Sequence, residues 1–143
     1  MATALTWKRQ LLDAKNATQI PTERGVYAHS IKIEVPHMPL TDYITYVGLF
    51  GDKKKTGTKG NNRHLRQRFK EYIKESDDLN RALVWGMLNQ YKGFTWLHYA
   101  EVTDNSVSLA AIETAFLDAL LPPCNQEDFS INIKEAHQLV YRR

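Results

Sequence analysis

Two strand-like segments joined by a short loop that contains prolines constrain the fold of this chain most strongly. The first segment, near residues 25–34, alternates apolar and polar side chains, and the second, roughly residues 43–49, is rich in β-branched and aromatic residues. The apolar positions of the first are Val26, Ala28, Ile31, Ile33 and Val35. Pro36 and Pro39 end it in a loop. Strands this close in sequence most simply form an antiparallel pair.

The remaining periodicity predicts helices around this pair and one more strand. We expect helices at residues 6–15, from Asn61 or Asn62 onward, at 77–91, at 109–121 and within 129–143, and a third strand at 94–102. Ser108 is a suitable cap for the fourth helix, which Pro122 and Pro123 would end. The sequence therefore predicts a mixed α/β (α+β) fold, in which helices flank a three-stranded antiparallel sheet, as a single domain over residues 1–143.

Composition and targeting signals favour a soluble globular protein. The 143 residues are 43% hydrophobic, which suits one domain with one core. The longest apolar run covers only a few residues, and the N-terminus lacks the apolar segment of a signal peptide. A single cysteine, Cys124, excludes an internal disulfide and suits a packed small residue. We expect a cytoplasmic protein that does not bind membranes.

Positive charge is concentrated in one segment. Residues 53–74 contain nine basic residues against the single acidic Glu71, a net charge of +8, whereas the whole chain carries only +3. Within it, Lys53, Lys54, Lys55, Lys59, Arg63, Arg66 and Lys70 are the candidates for nucleic-acid binding. Such a segment on a mildly acidic protein indicates a polyanionic partner. A solvated helix with a lysine-rich loop is the simpler alternative.

Glu113 is the most informative single residue. Leu109, Phe116, Leu117 and Leu120 lie at helical spacing from it, so its carboxylate shares an apolar stripe. An unpaired buried carboxylate is costly unless its pKa shifts or a cation neutralises it. A metal ion and a structural arginine are equally good candidates for that cation.

Arg68, Tyr72, Tyr27 and Tyr46 are candidates for phosphate chemistry. Arg68 and Tyr72 are four residues apart and share a helix face, which suits phosphate binding by a guanidinium held among packed side chains. Tyr27 and Tyr46 fall on the two adjacent strands. A phenol ordinarily titrates near pH 10, so general-base work requires a nearby cation. Ordinary packing for the tyrosines and a solvated charge for Arg68 are the simpler alternatives.

In this order, these residues resemble the GIY-YIG nuclease family. Gly25-Val26-Tyr27 and Tyr46-Val47-Gly48 correspond to the two tripeptides, and Leu65-Arg66-Gln67-Arg68 with Tyr72 resembles the segment that supplies the family's arginine. Glu113 falls on the metal-binding glutamate, and Asn125 falls on the asparagine that closes the site in many members. The resemblance covers roughly residues 24–126.

The resemblance implies cleavage of double-stranded DNA by a Mg²⁺- or Mn²⁺-dependent endonuclease, in restriction, phage-related or repair processing. Tyr27 or Tyr46 would deprotonate or orient water, Arg68 would hold the phosphate with support from Tyr72, and Glu113 would hold the metal. These groups are then expected to face one crevice. Two departures from the family pattern are Leu49, where many members have lysine, and the spacer of 18 residues between Tyr27 and Tyr46. Lys55 or Lys59 is a candidate replacement for the missing lysine.

Two other functions remain open from the sequence. Leu49 in place of lysine favours a non-catalytic module that binds nucleic acid on a nuclease-like scaffold. The lysine-rich loop also suits a structural subunit that docks on an acidic protein.

Overall fold

A computed structural model describes residues 4–32, 34, 36–37, 42–51, 64–74, 82–128 and 134–135. In chain order, its elements are strand β1 (Lys8–Leu11), a 3₁₀ helix (Ala14–Gln19), strands β2 (Gly25–Ile31) and β3 (Tyr43–Phe50), helices α1 (Leu65–Lys74) and α2 (Ala82–Gln90), strand β4 (Thr95–Glu101), helix α3 (Leu109–Leu120) and a second 3₁₀ segment (Pro123–Asp128). The mixed α+β class predicted from sequence is confirmed.

The strands form an antiparallel sheet in the order β1-β4-β2-β3. The predicted pairing of β2 with β3 is confirmed, and Tyr27 lies opposite Gly48 in that ladder. β4 pairs with β2 on its other side and places Tyr99 opposite Tyr27. β3 is therefore an edge strand, and its outer side has no strand neighbour among the described residues.

The prediction of three strands is wrong, because the N-terminal segment expected to be helical supplies a fourth. Residues 8–11 pair with β4, in the register Lys8 opposite Tyr99 and Leu11 opposite Trp96. Pairing with the otherwise open edge of β4 outweighs a weak local helical pattern. The nearby helix is the short 3₁₀ turn from Ala14, and its cap is Asp13, which accepts a hydrogen bond from the Lys15 backbone N–H at 3.0 Å.

The other predicted elements are present where the structure describes them, although β2 ends at Ile31 rather than near residue 34. The third predicted strand is β4, and Ser108 caps α3 by accepting a hydrogen bond from the Ala111 N–H at 3.2 Å. The predicted cap of α1, residues 77–81 of the next helix, and residues 129–133 and 136–143 of the tail lie outside the described residues. Cys124 is half-buried and packs against the core, as predicted.

Helices cover both faces of the sheet. Tyr27, Phe50 and Leu97 share a core with α1, α2 and the first 3₁₀ helix, and we call their side of the sheet the tyrosine face. Their neighbours Val26, Ala28, Val47 and Ala100 pack in clusters that include Leu109 and Leu117 of α3. Because successive strand residues point to opposite faces, α3 lies on the face opposite the tyrosines.

None of the helices in the described part of the chain combines the length and apolar character needed to cross a membrane.

Candidate nuclease site

Tyr27, Tyr46 and Tyr72 come together on the tyrosine face, as the sequence predicted for a shared site. Tyr27 is 1% exposed, and its hydroxyl lies 2.6 Å from that of Tyr72 on α1. The Tyr27 and Tyr46 rings have centroids 5.9 Å apart. Strand alternation puts residues 27 and 46 on this face, and the helical position of Tyr72 brings α1 against them.

The glycines of the two tripeptides have packing roles. A Cβ at Gly48 would lie 2.7 Å from Cζ of the Tyr27 ring, so only glycine leaves room for that ring. A Cβ at Gly25 would overlap the carbonyl oxygen of Ala100 on β4. Both glycines are therefore required by close packing around Tyr27 and by the β2–β4 pairing.

Arg68 lies beside this cluster rather than in open solvent. Its side chain is 19% exposed and forms an ion pair with Glu71 at 3.5 Å. Its Nε is buried and has no hydrogen-bond partner among the residues that the structure describes. The electrostatic influence of Arg68 on Tyr27 also indicates that the two are close. A fully solvated arginine is thus excluded, and this guanidinium retains capacity to bind an anion.

Burial decides the protonation state of Tyr27. Desolvation raises the pKa of its phenol well above the ordinary 10.0, and the neighbouring Tyr72 and Tyr46 raise it further, whereas Arg68 opposes them more weakly. Tyr27 is therefore a neutral phenol at neutral pH. Of the two tyrosines considered as a general base, the half-buried Tyr46 is better suited to meet a water molecule.

His29 belongs to the same cluster, although it is not part of the sequence motifs. It is 1% exposed, and its ring meets that of Tyr72 edge-on with centroids 4.5 Å apart. The signal was its spacing of two from Tyr27, which places both residues on one face of a strand. Packing is the role that these contacts show.

Glu113 does not share the crevice expected from sequence. It is half-buried on α3, which lies on the face opposite the tyrosine rings. On the helix it falls between Leu109 and Leu117, and Leu117 packs against Val47 of the edge strand. Glu113 therefore belongs to a helix on the other side of the sheet from the tyrosine rings. Sequence could not reveal this, because helical spacing does not specify which sheet face a helix covers.

Asn125 supports the edge strand. It is 1% exposed, its Oδ1 accepts a hydrogen bond from the Val47 N–H at 2.8 Å, and its Nδ2 donates to the Val47 carbonyl at 2.9 Å. These two bonds replace those that a further strand would supply to β3. Asn125 was predicted to close the site. The contact that the structure shows is structural, because Asn125 holds the backbone of Val47, the middle residue of the second tripeptide.

Leu49, the departure from the family pattern, packs with Val26 and Leu109 beneath α3. A lysine at this position would place its stem in an apolar cluster, which accounts for leucine in this chain.

The basic residues predicted to bind nucleic acid fall into three groups. Lys53, Lys54, Lys55, Lys59 and Arg63 lie outside the described residues. Lys70 is exposed on α1, as expected. Arg66 is half-buried, and its Nε donates to the Ile20 carbonyl at 2.8 Å and its Nη2 to that of Thr18 at 3.4 Å. It joins α1 to the end of the first 3₁₀ helix.

Within the described part of the chain, no three His, Cys, Asp or Glu side chains gather as a metal-binding group. Glu113 alone is still compatible with Mg²⁺, because this ion keeps several waters and often takes one or two carboxylates plus substrate phosphates.

Comparison with known proteins finds no matching family model, no matching curated protein and no matching solved structure. The GIY-YIG resemblance therefore depends on the motif residues alone.

Proposed function

We propose that this protein is a divalent-metal-dependent endonuclease that hydrolyses phosphodiester bonds of double-stranded DNA. The main support for this proposal is the position of Arg68 beside the hydrogen-bonded Tyr27 and Tyr72. The Nε of Arg68 is buried and has no hydrogen-bond partner among the described residues. The two tripeptides, the arginine segment, the glutamate and the asparagine also occur in the order typical of GIY-YIG nucleases. Restriction, phage-related or repair processing of cytoplasmic DNA is the setting that this reaction suits.

Arg68 is the residue that would bind the scissile phosphate. Its guanidinium is held among packed side chains, so little side-chain entropy is lost when a phosphate binds. The ion pair with Glu71 at 3.5 Å is longer than a good hydrogen bond. A phosphate oxygen can therefore share or replace that partner.

Tyr46, ionised to the phenolate, would orient the attacking water and accept its proton, while Tyr27 remains protonated. The Tyr27 hydroxyl keeps its hydrogen bond to Tyr72, which holds both rings next to Arg68. This assigns different tasks to the two tripeptide tyrosines, because one is fully enclosed and the other is half-buried. Tyr72 is then a positioning residue.

Glu113 would hold the metal ion from the other side of β3. Because α3 and the tyrosines lie on opposite faces of the sheet, this role requires the bound DNA or a movement of α3 to bring the two sets of groups to one phosphate. A bound Mg²⁺ or Mn²⁺ supplies electrostatic stabilisation of the charge that develops on the phosphate oxygens. Asn125 would keep β3 in place between the two sets of groups.

The test is cleavage of supercoiled, linear and branched DNA by the purified protein with Mg²⁺ or Mn²⁺. Glu113→Ala is expected to lower the rate by about a hundredfold or more, since it removes the metal ligand. Asp118→Ala removes an exposed carboxylate from the same helix and is the matched control. Unchanged cleavage by Glu113→Ala, or its equal loss in both variants, contradicts the proposed site.

A non-catalytic nucleic-acid-binding module is the second candidate. Two observations favour it: Glu113 and the tyrosines lie on different faces of the sheet, and Leu49 replaces the family lysine. This candidate predicts salt-sensitive DNA binding with no cleavage by either metal. Turnover that Glu113→Ala abolishes would exclude it.

A further inference from the structure

A cavity of about 250 Å³ opens between the end of α1, α2 and the start of β4. Lys74, Asn89 and Lys92 supply polar groups to its lining, and Tyr72 and Trp85 are its aromatic residues. None of the described residues that line it is acidic. The described part of the lining therefore carries two positive charges, and the cavity is compact enough for one small ring system with an attached anion.

Two features point to a bound ligand. Trp85 is 6% exposed, and its indole N–H is buried with no hydrogen-bond partner in the part of the chain that the structure describes. An unsatisfied buried donor is costly, which favours an acceptor from a ligand after a small adjustment of the wall. The two lysines lie on different elements, one ending α1 and the other following α2, yet both border the same space.

We propose that this cavity binds one unstacked nucleotide of the nucleic-acid strand, with its phosphate on Lys74 and Lys92 and its base beside Asn89 and the aromatic side chains. Lysine ammonium groups suit phosphate, and an amide side chain suits the hydrogen-bonding edge of a base. A nucleotide combines all three chemistries in one ligand.

The cavity is connected to the candidate nuclease site through Tyr72. One side chain lines the cavity and also places its hydroxyl 2.6 Å from that of Tyr27. A nucleotide held here would lie close to the tyrosine cluster, so the cavity would select DNA in which a base near the scissile bond is unpaired. This selection by the substrate's structure rests on the proposed nuclease function, although binding itself does not require cleavage.

The experiment measures binding to the full chain in EDTA, so that cleavage plays no part. Fluorescence anisotropy compares a labelled duplex containing a one-nucleotide bulge with a fully paired duplex of the same length. Extrusion of an unpaired nucleotide costs least, so the bulged duplex is expected to bind roughly tenfold more tightly. The double variant Lys74→Ala with Lys92→Ala is expected to lose that preference, and Asn89→Asp, which places a negative charge at the cavity, is expected to reduce it.

The matched control is Lys8→Ala with Lys15→Ala, which removes the same charge from exposed positions that do not line the cavity. Equal loss of preference in the control pair, or a retained preference in the cavity pair, overturns the proposal. The second readout is the indole N–H resonance of Trp85 by NMR, assigned with Trp7→Phe and Trp96→Phe. It is expected to shift with the bulged duplex more than with the paired one, and an unmoved resonance also counts against the proposal.

Titration with free deoxyadenosine monophosphate distinguishes a nucleotide that belongs to a nucleic-acid strand from a free nucleotide. If it saturates the cavity and shifts Trp85 while the bulge preference is absent, the ligand is a free nucleotide and the assignment to the strand is wrong. Failure of the nuclease proposal has a different signature. In that case the bulge preference in EDTA depends on Lys74 and Lys92, but no DNA is cut with Mg²⁺ or Mn²⁺.

Discussion

Tyr27 illustrates how the same residue type acquires different chemistry from its surroundings. Sequence alone made Tyr27 and Tyr46 equivalent candidates, because each completes a tripeptide on a strand. In the fold, Tyr27 is enclosed by β2, β3 and α1 and is hydrogen-bonded to Tyr72, whereas Tyr46 is half-buried. Burial thus separates a structural phenol from one that can meet solvent and substrate.

The raised pKa of Tyr27 predicts alkaline instability. Its folded-state pKa lies above the ordinary 10.0, so above about pH 10 the unfolded chain releases this proton while the folded chain retains it. The stability contributed by the protonated phenol is present below that pH and is lost as the pH rises through the folded-state pKa. Urea unfolding at pH 8 and pH 11 should show a smaller free energy of unfolding at pH 11.

Tyr27→Phe is the matched variant for this prediction. It keeps the ring and removes the titrating hydroxyl, so the fall between pH 8 and pH 11 should become shallower than in the wild type. The variant also leaves the buried Tyr72 hydroxyl without its Tyr27 partner, which should lower stability at pH 8 by about 1–3 kcal/mol. An identical pH dependence in both proteins would refute the role assigned to Tyr27.

At the scale of elements, the edge strand β3 is the part of the fold on which the candidate site depends. It carries Tyr46 and Gly48 toward the tyrosine face and Val47 and Leu49 toward α3. Its outer side is satisfied at Val47 by the side chain of Asn125 rather than by another strand. A polar loop residue therefore controls the position of groups on both faces of the sheet.

Asn125→Ala should test this control. The change leaves the Val47 N–H and carbonyl without these two bonds, and it should lower the free energy of unfolding by roughly 1–3 kcal/mol. Cleavage should fall through misplacement of β3, with KM for DNA changed less than kcat. Asn105→Ala, at an exposed turn, is the control and should alter neither quantity. Wild-type stability and activity in Asn125→Ala would show that the edge does not need this support.

For the whole molecule, the main feature is the separation of the basic segment from a mildly acidic remainder. The net charge of +8 in residues 53–74 would attract a polyanion at long range, and under the proposed function Arg68 and the tyrosines would also make direct contacts. Arg66 contributes to this charge, but its side chain is held by two backbone carbonyls.

DNA affinity should accordingly fall steeply with salt. A variant with Lys53→Gln and Lys55→Gln should lower the slope of log K against log salt by up to about two, because each lost phosphate contact removes roughly 0.9 from the slope on duplex DNA. Lys8→Gln with Lys15→Gln removes equal charge elsewhere and should change the slope much less. Equal slopes in all three proteins would exclude a dedicated role for the lysine segment.

The sequence alone was sufficient for the features that depend on local periodicity. Period-two alternation identified β2, β3 and β4, and helical spacing with Ser108 and Pro122 located α3. The ordered motifs selected four residues that the fold brings together: Tyr27, Tyr46, Arg68 and Tyr72. These patterns are readable because neighbouring residues in a strand or helix must alternate between solvent and core.

Only the tertiary structure decided the remainder, since it depends on which surfaces meet. The pairing of residues 8–11 with β4 made a strand from a segment expected to be helical. The side of the sheet covered by α3 separated Glu113 from the tyrosines, and enclosure by the core set the protonation of Tyr27. Helical spacing shows which residues share a helix face, but long-range packing determines what that face contacts.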